Sequence, residues 1–275
     1  MRSIRRVFKE IALGSKTAQY WDLVASDWAA TQPHRLWREY SDRLNATLFE
    51  RWLPQDKVER LLKTDLFDEA TGDKGLFPLL AAKARDVIGV DISSLTLHCA
   101  HARHGALRAV GADVRDLPFA DHAFDVVVSN STLDHMESLT DLAKGLAELH
   151  RVLKRGGQLL LTLDNLSNPA VALRNALPRR LLTALHLVPY YVGATCGPRR
   201  LVHLLREAGF EAEQTEAVMH CPRVLAVMAA NGLDRLGGPA SKAKFLGHLF
   251  AWERLSCLPT RFFTSYLIAV KAVRL

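Results

Sequence analysis

Four short stretches of this 275-residue chain combine residue types and spacing that can do chemistry. In Ile88-Gly89-Val90-Asp91-Ile92-Ser93 an apolar run ends on a carboxylate. A carboxylate at the tip of a buried strand can accept two hydrogen bonds from the vicinal hydroxyls of a ribose. Otherwise Asp91 is an exposed turn residue that caps the next helix. In Gly111-Ala112-Asp113-Val114 a side-chain acceptor stands beside an exposed backbone amide. That pair can read the amino group and ring nitrogen of an adenine, or Asp113 is simply a polar turn residue. The loop from Asp65 to Gly75 carries Asp65, Asp68, Glu69 and Asp73 but only two glycines, Gly72 and Gly75. Its charge would repel a pyrophosphate and welcome a cationic ligand. The fourth stretch, Ser129-Asn130-Ser131-Thr132-Leu133-Asp134-His135, should face whatever reacts. His135 is a general-base candidate near neutral pH, with Asp134 beside it. A lone histidine there also serves as a packing or helix-start residue.

The elements that must position these stretches alternate in type. Strands are expected at Val58–Thr64, Asp86–Val90, Ala106–Val110, Phe124–Ser129 and Gln158–Leu163, and helices at Gly75–Arg85 and Ser94–His104. A further helix should start at Ser138, with Asp141 three residues on as a capping partner. Leu139, Leu142, Ala143, Leu146, Leu149, Val152 and Leu153 give it an apolar face, and Gly156 and Gly157 should stop it. Alternating strands and helices imply a parallel sheet covered on both faces. Later come a helix at Pro198–Ala208, a strand at Phe210–Ala217, a mostly helical stretch over Pro222–Leu258 and a last strand at Ser265–Val273. That pair of strands would complete a seven-stranded, Rossmann-like doubly wound α/β sheet. Ligands of such sheets lie beyond the carboxyl ends of the strands, at the switch point.

Two regions depart from the alternation. Residues 1–53 read as a helical cap: Ile4, Val7, Phe8 and Ile11 share one face, with Arg2, Arg5, Arg6 and Lys9 on others. Four of the five tryptophans (Trp21, Trp28, Trp37, Trp52) fall in this region, which suits either a wall of the cleft or an ordinary core. Residues 165–197 contain Pro169, Pro178 and Pro189, a leucine-rich helix and the pair Arg179–Arg180, and read as an insertion over the cleft. Residues 222–258 form a second helical insertion within the main domain, 54–275.

The net charge of +7 suits an anionic substrate, nucleic acid, a membrane surface or a mildly basic solvated surface. Cys99, Cys196, Cys221 and Cys257 show no CxxC or Cys/His metal spacing, so reduced thiols and a cytoplasmic setting are expected, without a metal. The basic start lacks the apolar segment of a signal peptide, and no run of 18 apolar residues occurs.

Taken in order, these segments resemble the class I S-adenosylmethionine-dependent methyltransferases, in particular the small-molecule branch of the ubiquinone/menaquinone-methylase type. IGVDIS looks like that family's second motif, and GADVRDLPFADHAFDVVVSN like its third motif with the fourth strand. ELHRVLKRGGQLLLTL looks like the next helix, Gly-Gly turn and fifth strand, and REAGFEAE like the approach to the sixth. The resemblance covers residues 58–164 well and 198–217 and 262–273 loosely. It implies that Asp91 with Ile92 holds the ribose of S-adenosyl-L-methionine, that Asp113 with Val114 holds the adenine, and that Asn130 lies on the cofactor side. It departs at the first motif, where the family has an acidic residue and a GxGxG-type turn. Here Asp65 takes the acidic position, Gly72 would supply the close approach, and Asp65 or Glu69 would pair with the cofactor's amino group.

The reaction so implied is in-line displacement of the sulfonium methyl, with His135 or Asp134 as base. The aromatic and leucine-rich cap and insertion suit a lipophilic acceptor, with arginines at the edge for an anionic one. The basic N-terminal helix either covers the cleft or rests peripherally on an anionic membrane. A nicotinamide dehydrogenase would need GxGxxG after the first strand and a P-loop enzyme GxxxxGK[ST]; neither occurs. SNSTLDH is not the Asn/Asp-Pro-Pro-aromatic segment of amino-methylating nucleic-acid enzymes, so no nucleic-acid partner is expected. The rival from another class is a catalytically silent methyltransferase-like binding or assembly protein, for which the altered first motif speaks.

Overall fold

In the computed structural model the described residues are 18–32, 34–72, 75–178, 182, 188 and 190–275. The basic face at residues 2–11, the pair Arg179–Arg180 and Pro189 lie outside them. Two helices come first, α1 (Ala18–Thr31) and α2 (Arg35–Trp52). Strand β1 (Val58–Thr64) leads into the short α3 (Phe67–Thr71) and α4 (Phe77–Lys83). Then follow β2 (Ala84–Asp91), α5 (Ser94–Arg103), β3 (Arg108–Gly111) and β4 (Phe124–Asn130). A single 3-10 turn (Leu133–His135) precedes α6 (Leu139–Val152), β5 (Leu153–Asp164) and α7 (Pro169–Ala176). The chain ends through α8 (Pro198–Glu207), β6 (Phe210–Val218), α9 (Arg223–Leu236), α10 (Pro239–Ala251) and β7 (Leu267–Arg274).

The seven strands form one sheet in the order β3-β2-β1-β4-β5-β7-β6. β3, β2, β1, β4 and β5 run parallel, and β7 is inserted antiparallel between β5 and β6. The doubly wound seven-stranded α/β fold expected from the alternation is thus present. The order reverses between β1 and β4, so their carboxyl ends open the crevice where such sheets hold ligands. Successive side chains point to opposite faces, and both faces are buried. Leu61, Val126, Val128 and Ala269 pack one face against α2, α4, α9 and α10. Leu62, Val127, Leu159, Leu161 and Val270 pack the other against α6 and α8. Leu36, Tyr40, Leu48, Phe49 and Trp52 of α2 belong to the same core as the strands.

Helix α6 starts as its sequence requires. The Ser138 hydroxyl accepts from the Asp141 amide at 3.1 Å and donates to Asp141 Oδ2 at 2.8 Å. Ser138→Ala is expected to lower stability by about 1 kcal/mol, read from the urea midpoint at unchanged slope. Two expectations are corrected. The helix ends at Val152, not at the glycine pair, because Leu153 already pairs with Phe124. Gly156, at φ 71°, lies inside β5 where its register against β4 shifts, so the glycines serve a bulge in the strand. The helix placed over Gly75–Arg85 is shorter, and α3 occupies what reads as loop.

The excursion after β5 is pinned at both ends. Asn165 bridges to Cys196, and its side-chain amide donates to Phe262 O (2.7 Å) and Ser265 Oγ (2.9 Å). Gly193 N donates to Asp134 O and Ala194 N to Met136 O, both at 2.7 Å. A Cβ on Gly193 would sit 2.0 Å from Met136 O, so this contact admits only glycine. Among the described residues no helix is long and apolar enough to cross a membrane, and no cluster of His, Cys, Asp or Glu could hold a metal ion.

Candidate active site

Beyond the strand tips lies a cavity of about 1390 Å³, walled by α1, α2, α7, α9 and the loops after β1 to β5. A single drug-sized ligand occupies roughly 300–1,000 Å³, so this space suits two molecules side by side. Trp21, Trp28 and Trp37 line it, whereas Trp52 is buried in the core.

One end is acidic. Asp42, Asp65, Asp68 and Asp91 all face the cavity. Asp65 follows β1 directly and adopts the left-handed region at φ 65°, which aspartate tolerates better than most residues. Its Oδ1 accepts from Phe67 N at 2.8 Å, and this local bond turns the chain into α3 without a glycine. Asp91 stands at the tip of β2; Oδ2 accepts from Leu66 N (2.9 Å) and Oδ1 from Ser93 N (2.8 Å). The two carboxylates therefore share one loop. Burial and the Asp91 charge push Asp65 up to about 6, and burial with the charges of Glu69 and Asp65 pushes Asp68 to about 6 against the pull of Lys63. Burial raises Asp91 despite its two amide donors. Asp42, contributed by α2, is pushed up to about 8 by burial and by Asp68 and Glu69. Carboxylates crowded in this way oppose one another's ionisation, and a cation among them would relieve that repulsion.

Glu69 and Gly72 are not part of it. Glu69 is fully buried and pairs at 2.8 Å with Lys63, itself 2% exposed in the middle of the sheet. Glu69 Oε1 also accepts from Leu76 N at 2.9 Å. Lys63 Nζ donates to Asp65 O, and the surrounding carboxylates hold its pKa above the ordinary value in spite of burial. Gly72 closes α3: a Cβ there would lie 2.5 Å from Asp68 O, and its own carbonyl accepts from Arg103. The close backbone approach expected of Gly72 therefore serves the loop's own packing. Asp42 replaces Glu69 at the cavity; it lies in a helix far off in sequence and carried no local signal.

Asp113, Ile92 and Val114 border the same end. Asp113 is gripped by the Arg115 guanidinium at 2.6–3.1 Å, which holds its carboxyl below the ordinary range although burial opposes this. Asn130 ends β4, buried, its Oδ1 accepting from Thr162 Oγ1 at 2.8 Å. Asp134 is 4% exposed, faces the cavity, and its Oδ1 has no hydrogen-bond partner among the described residues. Burial and the nearby Asp164 carboxylate push it up to about 6. The His135 ring meets Trp21 edge-on at 4.9 Å, and its Nδ1 lies 2.9 Å from Tyr191 O.

The other end was not legible beforehand. Asp164, at the tip of β5, pairs with Arg174 of α7 at 2.7 Å, both largely buried. Arg223 opens α9 with its guanidinium 4.4 Å from the Tyr266 ring centroid, and it hydrogen-bonds Tyr190. Leu173, Leu177, Val224, Leu225 and Met228 line the adjoining wall.

Comparison with known proteins agrees with this layout. Residues 67–161 match a family described as a methyltransferase domain. A probable S-adenosylmethionine-dependent methyltransferase of Mycolicibacterium smegmatis is 30% identical over 166 residues, 60% of this chain and 59% of that protein. A 2-phytyl-1,4-naphtoquinone methyltransferase of Nostoc punctiforme is 31% identical over 154 residues, 52% of this chain and 60% of its own. The chain thus spans about three-fifths of the length of these two curated relatives. The crystal structure of geranyl diphosphate C-methyltransferase from Streptomyces coelicolor superposes with a TM-score of 0.54 at 15% identity, covering 84% of this chain and 77% of that one, a likeness of fold. With the sheet order, the carboxylates at its strand tips and these matches together, residues 67–161 are a methyltransferase domain on a Rossmann-like sheet of the class I methyltransferase fold.

Proposed function

We propose that this protein transfers the methyl group of S-adenosyl-L-methionine to a small lipophilic acceptor of quinone-like, lipid-linked or polyketide-like type. The observation that carries the reading is one cavity with a four-carboxylate end, Asp42, Asp65, Asp68 and Asp91, continuous with an apolar compartment. When bound, the cofactor supplies a methyl group already activated on a sulfonium. Asp91 keeps lone pairs beyond those given to Leu66 and Ser93 and offers them to the ribose hydroxyls. Ile92 and Val114 border the adenine, and Asp113 meets its amino group. Asp65, Asp68 and Asp42 face the cationic end, and Asn130 lies where the two compartments meet. The protein contributes chiefly proximity and alignment. Asp134, buried with a free oxygen and a raised pKa, accepts the acceptor's proton where one must be lost. His135, whose Nδ1 is engaged with Tyr191 O, is the second candidate.

We place the reaction in the cytoplasm, with peripheral membrane contact assigned to the basic N-terminal segment and no nucleic-acid partner. The test is calorimetric titration with S-adenosyl-L-methionine and S-adenosylhomocysteine. Asp91→Ala is expected to weaken both by about 1.5–2 kcal/mol, the scale of a charged hydrogen bond. A folded wild-type protein that binds neither ligand would remove the enzyme reading and return the silent binding module.

A further inference from the structure

The cavity's second end differs in charge from the first, and its arginines are not equivalent. Of the arginines that line the cavity, Arg38 lies beside Asp42 and Asp68, Arg115 grips Asp113, and Arg174 is held by Asp164 at 2.7 Å. Arg174 also donates to Tyr266 Oη and to Asn175 Oδ1, so its donors are spent within the protein. Arg223 has no carboxylate within 4 Å among the described residues. It lies over the Tyr266 ring at 4.4 Å and the Trp37 ring at 5.8 Å, and its field reaches an Asp164 that Arg174 already neutralises. Aromatic contact holds the guanidinium by its face; Tyr190 engages part of its edge, and the remaining N–H groups are left for a planar or tetrahedral oxyanion.

Arg223 is the first residue of α9, a helix of 14 residues with Pro222 at its N-cap and no side-chain cap. Val224, Leu225 and Met228 of α9, with Leu173 of α7, continue the wall as apolar surface.

We infer that Arg223 is an acceptor-binding residue, and that the acceptor carries an oxyanion, carboxylate or phosphate, on an apolar body. Arg174 is a positioning residue that fixes Tyr266 beneath Arg223. This deepens the methyl-transfer reading and rests on it for the identity of the second molecule, but the anion site itself is testable alone. The topology sets the two ends apart: Asp91 and Asp164 end β2 and β5, three strand spacings away, about 14 Å at the usual separation.

The test uses three twelve-carbon probes, laurate, dodecyl phosphate and dodecanol, titrated into the whole protein with and without S-adenosylhomocysteine. At least one anionic probe should bind at least about tenfold more tightly than dodecanol, the scale of a charged hydrogen bond. The larger of the two gains identifies the head group as carboxylate or phosphate. Arg223→Met should bring all three to the affinity of dodecanol while S-adenosylhomocysteine binding stays unchanged. Arg223→Lys, which keeps the charge but not the fork, should retain part of the preference and serves if the methionine variant does not fold. Equal affinity for the three probes, binding of none, or a preference that survives loss of the guanidinium overturns the inference. Failure of S-adenosylhomocysteine to bind while the anion preference holds would instead remove the methyl-transfer reading and leave this site standing.

Discussion

Lys63→Met is expected to lower the free energy of unfolding by about 3–5 kcal/mol, the cost of leaving one member of a buried ion pair alone. Lys63 sits in β1 between β2 and β4 at 2% exposure, and Glu69 opposite it is fully buried. Removing the ammonium strands the Glu69 carboxylate in the core, close to Asp65 and Asp68. It also frees Asp65 O and loosens the turn that presents two cavity carboxylates. The double replacement Lys63→Met/Glu69→Met should recover much of the loss, because two apolar side chains of similar volume need no desolvated charge. Urea unfolding of the wild type, both single variants and the double variant gives the coupling directly. A single-variant cost below about 1 kcal/mol would mean that the pair behaves as a surface bridge and does not hold the loop.

The affinity for S-adenosyl-L-methionine should fall roughly a hundredfold between pH 8 and pH 5, as the two carboxyls raised to about 6, Asp65 and Asp68, each take up a proton. Asp42, at about 8, adds to the fall near the upper end. The sign follows from charge: a sulfonium or ammonium is attracted by the ionised carboxylates and not by their acids. His135, Lys63 and Arg38 also face these carboxylates, and Lys63, held above its ordinary value, remains charged throughout. Without a cation the linkage reverses. A raised folded-state pKa contributes stability in acid, below the unfolded value, and loses it as pH rises through about 6 and then about 8. Titration at several pH values, in buffers of different ionisation heat, should therefore show proton release on binding that grows as pH falls through about 6. Affinity independent of pH, with no protons released, would remove these carboxylates from the cofactor site.

How far the sequence carried this picture depended on the distance over which each signal acts. Buried strands such as FDVVVS announce themselves in a few residues, and β4 extends only one residue beyond the expected range. Asp91 ends β2 and Asp113 lies two residues beyond β3, so locating each strand located the side chain. Helix α3 is five residues long, too short for an apolar period, and its acidic residues look alike in sequence. Only the fold reveals that Glu69 turns inward to Lys63 while Asp68 turns to the cavity. Asp42 and Arg223 reach one cavity from helices 181 positions apart. No local pattern joins them.

The staples that flank residues 169–192 bear on how the acceptor preference of such a protein can change. Asn165 with Cys196 at one end, and Gly193 and Ala194 with the turn after β4 at the other, hold both ends of the segment against the sheet. The entropy of closing that loop is met by contacts outside the segment's interior, and longer loops cost only slightly more. Of the described residues between the clasps, Leu173 and Leu177 line the cavity without joining the sheet, so they can be exchanged to admit a different acceptor while the carboxylate end, built on other strands, keeps its geometry. Arg174, paired with Asp164, and Gly193, pressed against Met136 O, are positions where such exchange should stop.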